Sequence, residues 1–387
     1  MRQAPERQYA TAAAAERAGQ LAAGFVIAAA LIAVSVGIAR LPWYRLDPVL
    51  EFIGRHPLLN ALAKSFLIAN FVTLHVLFLI WWERKFAGWL QARLGPKHVG
   101  WNGMLQTMAD AIKLLLKEDI IPARADARLF VVAPFLVFMP TLLTFMLLPF
   151  SARWVGYDFE LAALLVLAIT TNVSLGILAA GWGANNKYSL LGGARACAQV
   201  LSYEIPMAIT VLAMVTLMGS MSLVEIVERQ GGVWNIVGHA PVAVPAFVLL
   251  FICALAELNR TPFDLPEAES ELVSGFHTEY SGMRFAFFYL AEFANNFFMA
   301  GFMVVLFFGG WLGPLLPAPV WFTLKTLVVV TAMMWVKWTL PRFRVDQMMG
   351  FCWKVLGSFV AISPCGMSRK HCSIIRQLCR ISSTRTR

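Results

Sequence analysis

The stretch from Glu257 to Glu292 reads ELNRTPFDLPEAESELVSGFHTEYSGMRFAFFYLAE, the densest acidic run in a basic and very apolar chain. Apolar segments flank it on both sides, and Glu292 lies inside the second of them. The acids before Glu292 are Glu257, Asp264, Glu267, Glu269, Glu271 and Glu279, against the bases Arg260 and Arg284. A charge at the centre of a bilayer costs about 2.5–3.5 kcal/mol, so carboxylates placed like this indicate an ion or proton pathway.

The composition defines the class of protein. Of the 387 residues 59% are hydrophobic and only 14% are charged, whereas about a quarter are charged in soluble domains. We therefore predict an all-α, polytopic membrane protein. The net charge of +10 indicates Lys and Arg in cytoplasmic loops rather than nucleic-acid binding. Six scattered cysteines without a CxxC pair give no sign of a metal, haem or iron–sulfur site.

Hydropathy predicts about eight transmembrane helices joined by long cytoplasmic loops. The predicted spans are 21–41, 65–82, 129–150, 161–182, 205–224, 242–256, 285–308 and 320–338. Lys and Arg are concentrated in the connections 83–128, 183–204, 257–284 and 341–350, which places these on the cytoplasmic side. Residues 1–20 form a polar N-terminal tail.

Two of the cytoplasmic connections carry further candidate residues. The spacing of apolar residues predicts an amphipathic helix from Trp101 to Asp119, which lies along the membrane or a partner domain. In it, Asp110 and Lys113 are three residues apart, and the spacing alone favours a solvated ion pair. Glu204 precedes Pro206 and is expected at the mouth of a helix, where it becomes functional only if it faces a cavity.

The acidic stretch combines a helix end with a break. Glu257 and Arg260 are three residues apart and share one helix face. Two prolines then stop the helix, and Asp264-Leu-Pro-Glu267 has the pattern of a capping box that opens a new one.

Three glutamates at a spacing of two follow, and their geometry depends on the backbone. In a helix Glu267 and Glu271 share a face and Glu269 points away, whereas in a strand all three point one way. Carboxylates this close disfavour joint ionisation, so at least one pKa is expected to be raised. Glu292 lies too deep in its span to reach the interface and is expected to be functional.

Four motifs of the chain resemble one family. ELNRTPFDLPEAESELVSGFHTEYSGMRFAFFYLAEF closely resembles the H subunit of bacterial NADH-quinone oxidoreductase, the counterpart of mitochondrial complex I subunit one. The other three motifs are ERKFAGWLQARLGPKHVGWNGMLQTMADAIKLLLKED, GWGANNKYSLLGGARACAQVLSYE and LFFGGWLGPLLP. Together the motifs cover most of residues 62–355, which we treat as one membrane domain.

The resemblance implies a function that the residues alone do not specify. It implies a multi-pass subunit of the bacterial inner membrane without a redox centre of its own. With the peripheral-arm subunits it forms the chamber where the head group of a quinone, expected to be ubiquinone, is reduced. The resemblance also implies that this subunit transmits the effect of quinone reduction to the antiporter-like subunits of the complex. The expected partners include membrane lipid and exclude nucleic acid. The implied chamber and coupling residues are Asp110, Arg195, Glu204, Glu257, Arg260, Asp264, Glu267, Glu269, Glu271, Glu279 and Glu292.

The chain departs from the family pattern at both ends. Helix 21–41 is an extension, and residues 356–387 form a basic tail in place of the expected last helix, which resembles a reading-frame change near Gly357. One alternative function is the homologous subunit of a membrane-bound hydrogenase-type complex. A stand-alone transporter predicts internal repeats, which the sequence lacks, and a structural anchor leaves the cost of Glu292 unexplained.

Overall fold

The computed structural model describes residues 57–152, 154–314 and 316–357, apart from the side chains of residues 57–63, 269 and 270. This part of the chain is helical, without strands. It divides into two compact units that meet between Lys113 and Leu114. The predicted tail 1–20, the predicted helix 21–41 and most of the predicted tail 356–387 lie outside the described residues.

The helices are α1 (Pro57–Leu90), α2 (Gln106–Leu116), α3 (Ala127–Leu147), α4 (Ala162–Gly183), α5 (Lys187–Met218), α6 (Leu223–Arg229), α7 (Asn235–Gly238), α8 (Ala240–Glu257), α9 (Glu269–Leu272), α10 (Gly282–Phe307), α11 (Ala318–Thr339) and α12 (Val345–Gly350). Short 3₁₀ turns cover Trp101–Gly103 and Gly275–His277, and a π-helical segment, Phe351–Leu356, follows α12.

Seven helices of the described residues are long and apolar enough to cross a membrane. They are α1 from Lys64 onward, α3, α4, α5, α8, α10 and α11. Each corresponds to one of the predicted spans, and the remaining predicted span is 21–41. The prediction of an all-α, polytopic membrane protein is therefore confirmed.

Helix α10 is the centre of the second unit. In its most apolar stretch 89% of the residues are buried, whereas the corresponding share in the other spans of this unit is 39–56%. It packs against α3, α11, α8 and α6. The acidic stretch runs directly into this helix, so Glu292 belongs to the most enclosed element of the unit.

The six spans of the second unit alternate in direction. Their order therefore gathers the connections 184–186 and 258–281 and the segment after α11 at one end of the unit. The connections 148–161, 219–239 and 308–317 lie at the other end. The acidic stretch thus shares its end with the start of α5 and with residues 340–357.

Helix α5 begins much earlier than the sequence predicts. It starts at Lys187, capped by the Asn186 side chain that accepts a hydrogen bond from the Tyr188 amide (3.0 Å). With 32 residues it is about 48 Å long. The predicted turn 183–204 is wrong because its glycines serve helix packing: a Cβ on Gly192 would lie 2.8 Å from the Phe276 amide nitrogen.

The amphipathic helix is shorter than the prediction of Trp101–Asp119. Residues Asn102 and Gly103 have positive φ angles of 56° and 74°, which interrupt any helix that starts at Trp101. Helix α2 therefore begins at Gln106 and ends at Leu116. Its apolar side chains, which include Met108 and Ile112, are exposed, as an amphipathic helix requires.

Candidate functional site

Glu257 and Arg260 are placed by the way α8 ends. The Asn259 backbone is left-handed (φ 51°), its amide donates to the Ala256 carbonyl (3.2 Å), and the Arg260 amide donates to the Leu255 carbonyl (3.2 Å). This is the Schellman pattern of a helix C-terminus, in which Asn tolerates the left-handed position. Both side chains turn inward: Glu257 is 5% exposed and Arg260 is 1% exposed.

The buried guanidinium of Arg260 faces two groups on α10. Its Nη2 lies 3.3 Å from Oε1 of Glu292. Its Cζ lies 4.9 Å from the centre of the Phe293 ring. A buried charge is tolerated only when it is paired, and the Glu292 carboxylate supplies the opposite charge. The pair joins the end of α8 to the middle of the central helix.

A cavity of about 120 Å³ lies between these elements. Three carboxylates line it, from Glu257, Glu267 and Glu292, together with His277 and Asn295. Phenylalanine and aliphatic side chains form most of the remaining wall. A water molecule needs about 10–15 Å³ of such space, whereas sites for drug-sized ligands measure about 300–1,000 Å³. The cavity therefore suits a small group of water molecules among carboxylates.

Glu267 and His277 form the loop side of this cavity. Oε1 of Glu267 lies 3.8 Å from Nδ1 of His277. Burial, followed by the repulsion of Glu292 and Asp264, raises the pKa of Glu267 well above its ordinary value. Burial also lowers the pKa of His277 to about 4. The low pKa of His277 leaves its imidazole neutral at neutral pH, so the two side chains do not form an ion pair.

Glu271 belongs to the surface instead. Its carboxylate accepts hydrogen bonds from Arg195 (2.6 Å) and Arg342 (3.3 Å). The hydrogen bond from Arg195 is the main reason that the pKa of Glu271 is lowered. Within the run of three the pKa is raised at Glu267, but by burial, Glu292 and Asp264 and not by its neighbours in the run as the sequence predicts, and the pKa of Glu271 shifts in the opposite direction. The Glu269 side chain lies outside the described residues.

The backbone of this loop is neither of the two alternatives considered above. Residues 261–268 are turns and bends, and α9 begins only at Glu269, with Ala268 before it. The predicted capping box at Asp264–Glu267 is wrong because the loop folds back on itself here. Gly275 has a φ of 61°, and a Cβ on it would lie 1.8 Å from the Pro266 carbonyl oxygen.

Asp264 and Glu204 are acids with a buried, unpartnered oxygen. Among the described residues, Oδ1 of Asp264 and Oε1 of Glu204 have no hydrogen-bond partner. Burial raises the pKa of Asp264. Glu204 lies inside α5, not at the mouth of a helix as the sequence predicts, because α5 continues through Pro206. Glu204 and Glu257 are close enough for their charges to repel each other.

Two predicted site residues hold local structure. Oε1 of Glu279 accepts a hydrogen bond from Nδ2 of Asn186 (2.6 Å), the residue that caps α5. Asp110, in the first unit, forms an ion pair with Arg84 (2.5 Å) and a hydrogen bond with Gln106 (3.2 Å). The ion-pair partner of Asp110 is thus Arg84 and not Lys113, as the spacing favoured.

The sequence interpretation missed His277 and Asn259, which also line the cavity. No local pattern marks them, because both lie in the irregular part of the acidic stretch. Asn295 follows Glu292 by three residues on α10, so helical spacing alone relates these two cavity residues.

The folding and titration of Glu267 are linked in a way that can be measured. Because its folded pKa is raised, its stabilising contribution is complete below the ordinary value of 4.5 and is lost as pH rises through the folded pKa. Glu267→Gln stays neutral at every pH. The melting temperature of the wild type is therefore expected to fall relative to that of Glu267→Gln as pH rises from 5 to 9. Parallel curves for the two proteins would show that Glu267 has an ordinary pKa.

Together, the helices and this cavity define a multi-pass membrane protein with an acid-lined internal site. A family model described as NADH dehydrogenase matches residues 63–364. The chain belongs to this NADH dehydrogenase family.

Named relatives agree with the family. The H subunit of NADH-quinone oxidoreductase from Brevibacillus brevis is 49% identical over 294 residues, which cover 75% of this chain and 85% of the relative. The H subunit of the same enzyme from Bacillus cytotoxicus is 50% identical, with 76% and 88% covered. The one from Geobacillus kaustophilus is 49% identical, with 77% and 88% covered.

Proposed function

We propose that this chain is the membrane subunit of a proton-pumping NADH:quinone oxidoreductase, in which it forms part of the quinone chamber and couples quinone reduction to proton translocation. The relatives named above support the choice of this complex over a hydrogenase-type one. The observation that carries the coupling role is the convergence of Glu257, Glu267 and Glu292 on one water-sized cavity. The chain acts with the other subunits of the complex, in the bacterial inner membrane.

The cavity is assigned to protons and not to the quinone ring. Its volume of about 120 Å³ is below that of a small-molecule site, and three carboxyl groups form much of its polar wall. The quinone, which we propose to be ubiquinone, is bound where this chain meets the peripheral-arm subunits. The exposed end that carries Glu271, Arg195 and Arg342 is the surface of the second unit suited to that contact.

The mechanism follows from the charge that quinone reduction creates. A reduced quinone that has not yet taken up protons is an anion. An anion beside the acidic loop disfavours the ionised form of each nearby carboxylate, so protons move onto these groups. Glu267 is the first to take up a proton, because its pKa is already raised, and Glu292 and Glu257 can take protons up across the cavity water. The antiporter-like subunits then respond to this changed charge.

Coupling of this kind needs an element with two arrangements that both sites bias. The Arg260–Glu292 pair can serve as this element, because it joins the end of α8 to α10. Protonation of Glu292 weakens the pair, and ionisation restores it. The switch in this mechanism is therefore one buried ion pair beside the cavity.

The test replaces Glu257 by Gln in the assembled complex. Gln keeps the size of the side chain and removes its ability to carry a proton. In inverted membrane vesicles, coupled NADH:quinone turnover and proton pumping are expected to fall roughly 10²-fold, the contribution of a positioned acid–base group. The matched control is Glu225→Gln, an exposed acid paired with Arg229 at 3.4 Å, which is expected to leave both activities unchanged. Normal pumping by Glu257→Gln would remove the cavity from the mechanism.

A further inference from the structure

We propose that the segment Arg342–Leu356 is a strap that fixes both the acidic loop and the proline break in α5, by which we mean the one backbone hydrogen bond that Pro206 removes from this continuous helix. Cys352 is the positioning residue where the strap meets α5. The inference rests on the proposed function, since it concerns how the carboxylates of that site are held. It assigns a role to Cys352 and Met349, which do not line the cavity.

The first contact is at the break in α5. Proline has no amide hydrogen, so Pro206 leaves the carbonyl of Ser202 without its helical hydrogen bond. The Cys352 thiol donates to that carbonyl, with Sγ 2.7 Å from the oxygen. Cys352 is 1% exposed, and burial raises its thiol pKa to about 11. It therefore keeps its proton and remains a donor at physiological pH.

The same serine makes a second contact with the strap. Oγ of Ser202 lies 3.2 Å from Sδ of Met349 and also donates to the Ala198 carbonyl (2.7 Å). Both polar groups of Ser202 are thus satisfied in part by residues about 150 positions later in the chain. Tyr203 and Glu204 follow directly, so the strap fixes the backbone from which the Glu204 side chain extends.

The strap also holds the acidic loop. The amide of Phe343 donates to the carbonyl of Pro262 (3.0 Å). The ring of Phe263 packs between the strap and α5: its centre lies 5.7 Å from Phe343, 6.5 Å from Phe351 and 5.1 Å from Tyr203. One phenyl ring therefore connects the loop, the strap and the residue before Glu204.

These contacts give Cys352 an indirect role. It is not among the residues that line the cavity, so it acts by holding α5 and not by proton transfer. Without the thiol, the Ser202 carbonyl is buried without a donor, and α5 is expected to shift at the break. Displacement of a catalytic group by about 1 Å can cost roughly 10²-fold in rate. A loss of roughly tenfold in coupled turnover is thus expected from a partial shift.

The experiment is a double-mutant cycle in the assembled complex. The variants are Cys352→Ala, Cys352→Ser, Pro206→Ala and the double variant Pro206→Ala/Cys352→Ala, with the half-buried Cys197→Ala as control. Coupled turnover per assembled complex and its pH profile are measured in inverted vesicles. NADH oxidation by an artificial acceptor reports on the rest of the complex.

Cys352→Ala is expected to lose turnover roughly tenfold and to shift the pH profile. Cys352→Ser keeps a donor and is expected to behave like the wild type. Pro206→Ala supplies the amide that Ser202 lacks, so Cys352→Ala is expected to have no further effect in that background. The same cycle measured on the melting temperature applies if Cys352→Ala assembles poorly.

Three results would overturn the proposal: equal behaviour of Cys352→Ala and Cys197→Ala, failure of Cys352→Ser to rescue, or an effect of Cys352→Ala that is the same in both backgrounds. These results are distinct from a failure of the proposed function. If Glu257→Gln pumps normally while Cys352→Ala has reduced turnover, the cavity mechanism is rejected and the positioning role of the strap in turnover is kept. If Glu257→Gln is impaired in pumping while Cys352→Ala has normal turnover, the proposed role of the strap is rejected and the proposed function is kept.

Discussion

Complexes that carry Arg260→Ala are expected to assemble poorly and to lose quinone-linked turnover. Arg260 is 1% exposed and lies 3.3 Å from Glu292. Removing one partner of a buried ion pair costs about 3–5 kcal/mol, an upper limit here because the Glu292 carboxylate left behind is 23% exposed. The loss of this cation also removes a group that favours the ionised form of Glu267. Native gel electrophoresis and the melting temperature of the complex measure the first effect.

Two further variants separate the structural from the functional part of this loss. The exposed Arg229 pairs with Glu225 at 3.4 Å, so Arg229→Ala is expected to change stability by less than about 1 kcal/mol. Apolar residues can replace a complete buried pair without loss of stability. Arg260→Met/Glu292→Met is therefore expected to restore assembly but not turnover. Recovery of normal turnover by this double variant would show that the pair serves folding alone.

Glu292→Gln is expected to shift the pH dependence of turnover. After burial, the charge of Glu292 is the largest cause of the raised pKa of Glu267. Without that charge, the pKa of Glu267 falls, and Glu267 loses its proton at a lower pH. A step that requires protonated Glu267 then fails earlier, so the alkaline limb of the pH profile moves to lower pH.

The measurement compares pH–turnover profiles of the wild type, Glu292→Gln and the exposed control Glu225→Gln. Glu225→Gln is expected to reproduce the wild-type profile. Proton pumping by Glu292→Gln is expected to fall with turnover, because the pair with Arg260 can no longer respond to protonation. An alkaline limb that stays in place in Glu292→Gln would argue against the assigned link between Glu292 and Glu267.

Hydropathy and charge were sufficient for the class of fold. Continuous apolar segments predicted the spans, because a chain in lipid must satisfy its backbone hydrogen bonds internally and a helix does so. The start of α5 was not predictable in the same way. Gly192, Gly193 and the polar residues around them have the composition of a turn. The close approach of Phe276 to Gly192 and of Gly181 to Gly193 explains why glycines lie inside this helix.

The candidate site was predictable in composition but not in arrangement. The cost of buried charge identified Glu257 and Glu292 from the sequence. The division between Glu267 in the cavity and Glu271 at the surface depends on Arg195 and Arg342, which are remote in sequence. His277 joins the cavity through the fold of an irregular loop, which periodicity cannot describe.

The contact between Cys352 and Ser202 is even less predictable from the local sequence. Pro206 predicts a carbonyl without a donor, but nothing near it in the sequence indicates which group supplies one. That information is present only in the packing of α5 against the segment after α11. Long-range satisfaction of a helix break is therefore the part of this site that a single sequence does not reveal.

Quinone reduction is expected to change the protonation of the acids that line the cavity, and the whole mechanism depends on that change. Infrared difference spectra of the assembled complex, recorded on quinone reduction in H₂O and D₂O, detect this change in protonation directly. We predict a carbonyl-stretch signal from a protonated carboxyl group that shifts in D₂O and is absent from Glu267→Gln. Identical difference spectra for the wild type and Glu267→Gln would contradict the mechanism.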